Sequence, residues 1–148
     1  MRSEQEVCAA IQRYADTVRR IALLRLKNEA DADDLFQTVF IKYALHEKEF
    51  VDEAHEKAWM IRVTINTGYD ILRALRRRRA TPLEQAADVS APLREEHAQV
   101  WEAVLSLPKA YRQAVYLFYY EGYDAPQIAA MTHRRVNTVY THLARRGK

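Results

Sequence analysis

The 148-residue chain contains few residues that interrupt helices and few that form covalent cross-links. It has three Gly, four Pro and a single Cys. One Cys excludes an internal disulfide and a site built from several thiolates, so we expect a reducing compartment, the cytoplasm. The chain has no run of about eighteen apolar residues, so we expect no membrane insertion. The polar N-terminus is not expected to act as a signal peptide.

The residues that are abundant favour helices. Ala, Leu, Arg and Glu dominate, and apolar residues recur at spacings of three and four. We therefore predict an all-α protein with helices at about residues 4–27, from Asp31 to about 45, and at about 55–79, 93–105, 108–121, 124–132 and 136–146. The predicted organisation is a three-helix domain (1–79), a short linker (80–92) and a four-helix domain containing a helix-turn-helix (93–148).

Charge is segregated along the chain, although the net charge is only +3. Residues 57–79 hold seven basic side chains and one acidic one, and residues 106–148 hold seven and two. Residues 1–56 and 80–105 each carry a net charge of −4. Concentrated positive charge binds phosphate backbones through the release of counterions. One such run is often only a solvated face, but two basic helical segments favour nucleic acid as a partner.

The C-terminal segment has the pattern of a helix-turn-helix. Asp124 is an N-cap with Gln127 three residues later, as in a capping box, and a four-residue turn at 132–135 precedes a second helix. Its candidate base contacts are Thr138, Thr141, His142 and Arg145, and its candidate phosphate contacts are Arg134 and Arg135. Any antiparallel helix pair has a similar pattern, but the basic residues favour DNA.

The third helix places Asn66 and Tyr69 among arginines. Single-stranded bases need stacking faces, amide hydrogen bonds and neutralised phosphates, and this segment supplies all three. The sequence leaves an alternative open, in which Asn66 is satisfied within a helix pair and Tyr69 packs in the core. The second helix is acidic instead, and Asp33, Asp34 and Gln37 form an exposed face suited to a protein partner.

Signals for an enzyme are absent from the sequence. His46-Glu47 and His55-Glu56 both lack a second His four residues on, so neither forms a zinc-protease motif. There is also no Gly-rich phosphate loop and no nucleophile elbow. We therefore expect no enzymatic activity, no cofactor and no metal.

Several stretches together resemble one family over nearly the whole chain. Residues 31–40 look like the core-binding helix of bacterial sigma factors of the extracytoplasmic-function group. Residues 58–79, preceded by Phe50, resemble its promoter-melting and −10-reading helix. Its −35-reading domain is similar to residues 105–108, the turn at Gly122, residues 127–129 and residues 136–139. The chain departs from the family at Tyr140-Thr141-His142, where a basic or Ser-containing stretch is common.

The resemblance implies a sigma factor that directs RNA polymerase core enzyme to dedicated promoters, with promoter DNA and, as for many members, an anti-sigma factor as further partners. Trp59 would be largely structural. The implied polymerase contacts are Asp34, Leu35, Gln37 and Phe40. The implied −10 contacts are Arg62, Asn66, Tyr69, Arg73, Arg76 and Arg77, and the −35 contacts are Arg134, Arg135, Asn137, Thr138, Thr141, His142 and Arg145. The alternative is a stand-alone helix-turn-helix regulator that binds duplex DNA without polymerase.

Overall fold

The computed structural model describes residues 1–26, 28–78 and 98–144, with the side chains at 98 and 100 left aside. All regular structure in these ranges is helical, which confirms the predicted all-α class. The chain divides into two compact units, Met1–Ala91 and Pro92–Lys148. No helix in the described ranges is long and apolar enough to cross a membrane. The predicted linker at 80–92 lies outside the described residues.

The first unit consists of three helices that each pack against the other two. They are α1 (Glu4–Arg25), α2 (Glu29–Leu45) and α3 (Glu53–Arg78). Ser3 and Glu6 form a capping box at the start of α1. The centre of the core is formed by side chains with at most 4% of their surface exposed, among them Tyr14, Val18, Leu24, Leu35, Val39, Met60, Ile61 and Ile65.

Two helices begin earlier than the sequence predicted. Asn28, not Asp31, is the N-cap of α2, because its side chain accepts the N–H of Asp31 at 2.8 Å. Asp31 therefore lies within the first turn, where its negative charge interacts favourably with the positive end of the helix dipole. At the start of α3, the Asp52 side chain accepts the N–H of His55 at 2.9 Å, so this helix begins at Glu53 and not near residue 55.

A buried carboxylate joins the three helices at one point. Glu56 on α3 accepts hydrogen bonds from the Tyr14 hydroxyl (2.9 Å) and the Arg13 guanidinium (2.9 Å) of α1 and from the Tyr43 hydroxyl (2.8 Å) of α2. Burial, followed by the hydrogen bond to Glu56, raises the pKa of each tyrosine to about 12. Three donors offset the cost of burying the charge.

Gly68 on α3 faces Leu35 of α2. A Cβ atom at this position would lie 3.4 Å from Cδ1 of Leu35, which is ordinary van der Waals contact, so Ala would also fit here. Glycine in the middle of a helix costs about 1 kcal/mol relative to Ala. Ala is therefore compatible with the packing of α2 on α3, whereas a larger side chain would meet Leu35.

The second unit is built from shorter helices: α4 (Ala98–Leu105), α5 (Lys109–Val115), α6 (Ala125–Thr132) and α7 (Val136–Ala144). A π-helical turn, Tyr116–Tyr120, extends α5, so the helix predicted at 108–121 is present but ends with a wider turn. Gly122, with φ of 84°, ends it as predicted. The core contains Trp101, Val104, Ala114, Tyr116, Leu117, Ile128, Met131, Val139 and Leu143.

The connection between α6 and α7 has the geometry of a helix-turn-helix. The predicted capping box at Asp124 and Gln127 is confirmed at the start of α6. His133 ends α6 in the left-handed conformation (φ 58°), and the N–H of Arg134 then donates to the Ala129 carbonyl at 3.1 Å. Val136 is 36% exposed at the start of α7, although its helical spacing from Val139 and Leu143 favours burial with them.

Candidate functional site

Six predicted −10 residues form one stripe along α3, which we call the α3 stripe: Arg62, Asn66, Tyr69, Arg73, Arg76 and Arg77. At about 100° per residue they lie within roughly a quarter to a third of the helix circumference. The buried residues of α3 are centred on the opposite side of the helix and are Glu56, Met60, Ile61, Thr64, Ile65 and Thr67. At 1.5 Å per residue the stripe is about 22 Å long, the length of roughly six nucleotides in a B-form strand.

Most polar groups of the α3 stripe are not committed to contacts within the protein. Asn66 is half-buried, and its amide forms no hydrogen bond with any described residue. Arg62, Arg76 and Arg77 form no ion pair within the described ranges, whereas Arg73 pairs with Asp70. The described residues therefore do not support the alternative in which the Asn66 amide makes its hydrogen bonds within a helix pair.

Tyr69 is the half-buried aromatic member of the stripe, and it contacts α1 through Arg25. The guanidinium of Arg25 lies 5.9 Å from the centre of its ring, within the range of a cation–π contact. One face of the ring is thus in contact with Arg25, and part of the side-chain surface remains exposed. The stripe as a whole combines cations, one amide and one aromatic face.

The exposed side of α2 forms a second stripe, which we call the α2 stripe: Asp34, Gln37, Ile41 and Leu45. Ile41 is 58% exposed and Leu45 is 61% exposed. Asp34 forms no ion pair within the described ranges, whereas its neighbour Asp33 pairs with Arg19 at 3.1 Å. A surface that combines acidic, amide and large apolar groups is suited to a protein partner.

Two of the predicted polymerase contacts lie in the wrong place for that role. Leu35 is 1% exposed and Phe40 is 5% exposed, so both belong to the core between the helices and cannot reach a partner. Sequence reasoning missed Ile41 and Leu45. The helical spacing of 34, 37, 41 and 45 could have identified them, because it runs out of phase with the buried residues 35, 39 and 43.

The exposed side of α7, which we call the α7 face, contains Asn137, Tyr140, Thr141 and Ala144. Arg134, half-buried, and Arg135, exposed, precede it in the turn. The core side of the same helix is formed by Val139 and Leu143, which are 0% and 8% exposed. The face is therefore free of core packing and has its cations at the N-terminal end of the helix, where phosphates bind.

Thr138, Thr141 and His142, predicted as base contacts, differ in exposure: Thr141 is exposed, whereas Thr138 and His142 are half-buried. Thr138 and His142 lie on a flank of α7, and the His142 ring packs edge-on against Tyr111 of α5 at 5.2 Å. His142 is half-buried there, so its ring does not belong to the α7 face. Arg145, predicted as the last contact, lies outside the described residues.

The loop between α2 and α3 is held by an aromatic cluster. The Trp59 ring lies 4.7 Å from His46 and 5.7 Å from Phe50, which agrees with a structural role for Trp59. Arg2 lies over Phe50 at 5.0 Å and donates to the Lys48 carbonyl at 2.7 Å. Burial, followed by the charge of Arg2, lowers the pKa of His46. No group of His, Cys, Asp and Glu in the described ranges is arranged to hold a metal ion.

Comparison with known families matches both units. The model of sigma-70 region 2 matches residues 10–79, and that of sigma-70 region 4 matches residues 97–145. The RNA polymerase sigma factor SigV of Bacillus subtilis is 30% identical over 130 residues, which cover 85% of this chain and 77% of SigV. The ECF RNA polymerase sigma factor SigM of Mycobacterium tuberculosis is 28% identical over 137 residues, covering 90% and 69%.

Solved structures share the fold. The sigma factor RpoE of Bartonella quintana, in complex with the anti-sigma factor NepR, has a TM-score of 0.70 at 18% identity, covering 97% of this chain and 92% of RpoE. CnrH, in complex with the cytosolic domain of CnrY, has a TM-score of 0.62 at 20% identity, covering 98% and 84%. The family matches extend over both units in order, and the sequence relatives span most of the chain. The chain therefore belongs to the sigma-70 family and, within it, to the extracytoplasmic-function sigma factors, which direct RNA polymerase to promoters to initiate transcription.

Proposed function

We propose that the two units of this sigma factor have separate tasks at the promoter. The first unit, assigned to residues 1–79, docks on the polymerase core and holds a separated −10 strand. The second, assigned to residues 93–148, binds the −35 element as duplex. The observation that carries the proposal is the α3 stripe, where the half-buried Asn66 lies among arginines and its amide forms no hydrogen bond with any described residue.

The α2 stripe is the proposed contact with the core enzyme. Its apolar residues, Ile41 and Leu45, would supply buried area, and Asp34 would supply charge complementarity and register. Leu35 and Phe40 lie on the buried side of α2, so their contribution is to anchor this helix in the core of the first unit. This arrangement resembles helix docking, in which one face of a helix is anchored in its own domain and the other binds a partner.

A pull-down against core polymerase tests this contact. Asp34→Arg and Ile41→Asp should each weaken binding at least tenfold, because one reverses a charge and the other puts a charge into an apolar interface. Asp16→Arg is the matched control, since Asp16 is an exposed acid of the same unit on α1 and forms no ion pair within the described ranges. Equal binding by all of these variants would contradict the proposal.

The α3 stripe is the proposed site for the opened −10 strand. Asn66 could pair with the edge of a base that has left the stack, and the arginines would neutralise the phosphates on either side. Opening the duplex costs a few kcal/mol for each unstacked base, so a protein surface that binds only the opened form helps to offset that cost.

Run-off transcription with core enzyme tests the proposal as a whole. The chain should support transcription from cognate promoters, and Asn66→Ala should reduce transcription of duplex promoters more than that of templates already melted at −10. Without polymerase the chain should bind promoter duplex poorly, because its −10 surface needs separated strands. Tight duplex binding by the chain alone, with no transcription, would instead favour the stand-alone regulator.

The second unit is the proposed reader of the −35 element. Arg134 and Arg135 would hold phosphates at the start of α7, and the α7 face would enter the major groove. Thr138 and His142 would then lie at the edge of the contact, next to α5. The proposal assigns no chemical catalysis to the chain and places its action in the cytoplasm, where RNA polymerase works.

An anti-sigma factor is a further proposed partner. It is supported by the fold shared with RpoE, which was solved in complex with the anti-sigma factor NepR. Such a partner would silence the chain by covering the α2 stripe or the α7 face. The full chain can be used to capture binding proteins from the source cells, and each captured protein can be purified and added to run-off transcription. We expect one of them to inhibit transcription. If none inhibits, this part of the proposal fails.

A further inference from the structure

Tyr140 is an exposed aromatic residue in the middle of α7. Its side chain is 56% exposed, and within the described ranges it takes part in no ring contact and no hydrogen bond. The core side of the helix is already filled by Val139 and Leu143. A single exposed tyrosine is common on a protein surface, but this one stands in the centre of a helix face that is free of core packing, where its ring is available to a partner.

The neighbours of Tyr140 on the α7 face carry no charge. They are Asn137, Thr141 and Ala144, and the Thr141 hydroxyl already donates to the Asn137 carbonyl at 3.0 Å. The cations of this element, Arg134 and Arg135, lie before the helix. The described part of α7 thus offers an amide, an aromatic ring and methyl groups, but no arginine or lysine in its centre.

This set of side chains favours some bases over others. Guanine is most often read in the major groove by a bidentate Arg or Lys, adenine by a bidentate Asn or Gln, and thymine by apolar contact with its C5 methyl group. The α7 face has the groups for adenine and thymine and lacks those for guanine. Asn137 and Tyr140 are about 4.5 Å apart along the helix axis, close to the spacing of adjacent base pairs, about 3.4 Å.

We propose that Tyr140 determines sequence specificity in the −35 element, with its ring against a thymine methyl group while Asn137 binds an adjacent adenine, so that the base pairs under the middle of α7 are A·T. The inference rests on the proposed duplex-reading role of the second unit and names the class of DNA that this unit selects. The Tyr140 hydroxyl is not needed for the contact, because the methyl group is apolar.

The first test is selection from promoters randomised at −35, transcribed by the full chain with core polymerase. Adjacent A·T pairs should be enriched in the selected promoters. Asn137→Ala should lower discrimination against G·C at one pair by about tenfold, the scale of one bidentate contact. Tyr140→Ala should relax the neighbouring pair, and Tyr140→Phe should retain the preference.

The second test replaces thymine with deoxyuridine in the selected element, which removes only the methyl group. The wild-type chain should prefer thymine by about fourfold, the effect of one buried methyl group. Tyr140→Ala should show no preference, and Tyr140→Phe should keep it. Tyr119→Ala is the control, because Tyr119 is a 51% exposed tyrosine of the same unit outside the α7 face, and it should leave the thymine-to-uridine ratio unchanged.

The outcomes separate this inference from the proposed function. Transcription that proceeds with G·C pairs under α7, or with equal use of thymine and uridine by the wild-type chain, would overturn the role of Tyr140 and leave the sigma function intact. If the chain supports no transcription from any promoter, the proposed function fails and this inference fails with it.

Discussion

The two units of this chain are stabilised in different ways. The first has a buried carboxylate at its centre, and Glu56 connects three long helices through donors on α1 and α2. In the second, the described polar contacts lie mostly at the turns: Arg112 between α4 and α5, the capping box of α6, and His133 before α7. The first unit therefore depends on contacts between distant parts of the sequence, and the second depends more on local ones.

The proposed DNA-binding surfaces of the two units also differ, in how their charge is distributed. The α3 stripe is cationic along its length, whereas the α7 face is neutral and has cations only at its start. A separated strand exposes its phosphates and base faces together, which suits a mixed cationic and aromatic surface. A duplex exposes base edges inside a groove with phosphates at the rim, which suits a neutral helix face with cations at the end.

The largest expected effect comes from removing the carboxylate at the centre of the first unit. Glu56→Ala leaves two buried tyrosine hydroxyls and Arg13 without their acceptor, so we expect the free energy of unfolding of this unit to fall by about 3–5 kcal/mol. Hydrogen exchange, resolved by peptide, should report faster opening of α1, α2 and α3 with the second unit unchanged.

Glu53→Ala is the matched control, because Glu53 lies one turn earlier on α3 and is exposed. It should change the free energy by less than about 0.5 kcal/mol. Similar losses in the two variants would show that the buried carboxylate is not what holds the first unit together.

Alkaline pH should weaken the first unit through the same contact. The pKa values of Tyr14 and Tyr43 rise from 10.0 to about 12 on folding, so the folded state keeps protons that the unfolded state loses. The stabilisation is complete below about pH 10 and is lost as the pH rises towards 12, by up to about 1.4 kcal/mol per pH unit for each tyrosine.

Urea unfolding of the first unit between about pH 9 and pH 11.5 measures this slope. A chain carrying Tyr14→Phe and Tyr43→Phe should be less stable at neutral pH but should lose less stability in the alkaline range. A slope that does not change in that double variant would assign the pH dependence to other groups.

In the second unit, Arg112 is expected to have an intermediate effect. Its guanidinium donates to the carbonyls of Leu105 (2.7 Å) and Leu107 (2.9 Å), which end α4 and lead into α5. Arg112→Ala should lower the free energy of unfolding by about 2 kcal/mol, because hydrogen bonds from a charged donor are lost. Arg112→Lys should recover only part of the lost stability, since one ammonium group cannot reproduce the two directed donors of the guanidinium. Full recovery in the Lys variant would mean that the charge alone matters.

The smallest effect is a gain in stability at the turn of the helix-turn-helix. His133 has a left-handed backbone, which costs an L-residue about 1 kcal/mol relative to Gly. His133→Gly should therefore raise the free energy of unfolding of the second unit by about that amount, measured with urea. His133→Ala provides the comparison, and a Gly variant no more stable than the Ala variant would contradict a conformational cause.

Local signals made much of the second unit predictable. The Asp124 cap, Gln127 and Gly122 each act within a few residues of their own position, so the sequence pattern was sufficient. Where two local signals compete, the pattern misleads: Asn28 and Asp31 are both good caps, and the earlier one is used. The wider turn at Tyr116–Tyr120 has no local signal of this kind.

Contacts between residues far apart in the sequence could not be predicted from local patterns. Glu56 meets partners 13 to 43 residues away, and only the packing of three helices brings them together. In the candidate site, the sequence pattern singled out Asn66 and Tyr69 among the arginines of α3, whereas Leu35 and Phe40 were assigned by resemblance and proved to be buried. Tyr140 was not predicted as a contact, because an exposed tyrosine is recognised only when its surroundings are known. The roles of all these surfaces remain predictions.

The missing side chain at Gly68 has a consequence for geometry. A side chain larger than Ala at this position would reach beyond ordinary contact with Leu35, which lies on the buried side of α2. It would push apart the helices that carry the α2 stripe and the α3 stripe, and so change the orientation of the proposed polymerase-binding side relative to the proposed DNA-binding side. The size of one residue inside the first unit thus bears on how its two surfaces are presented.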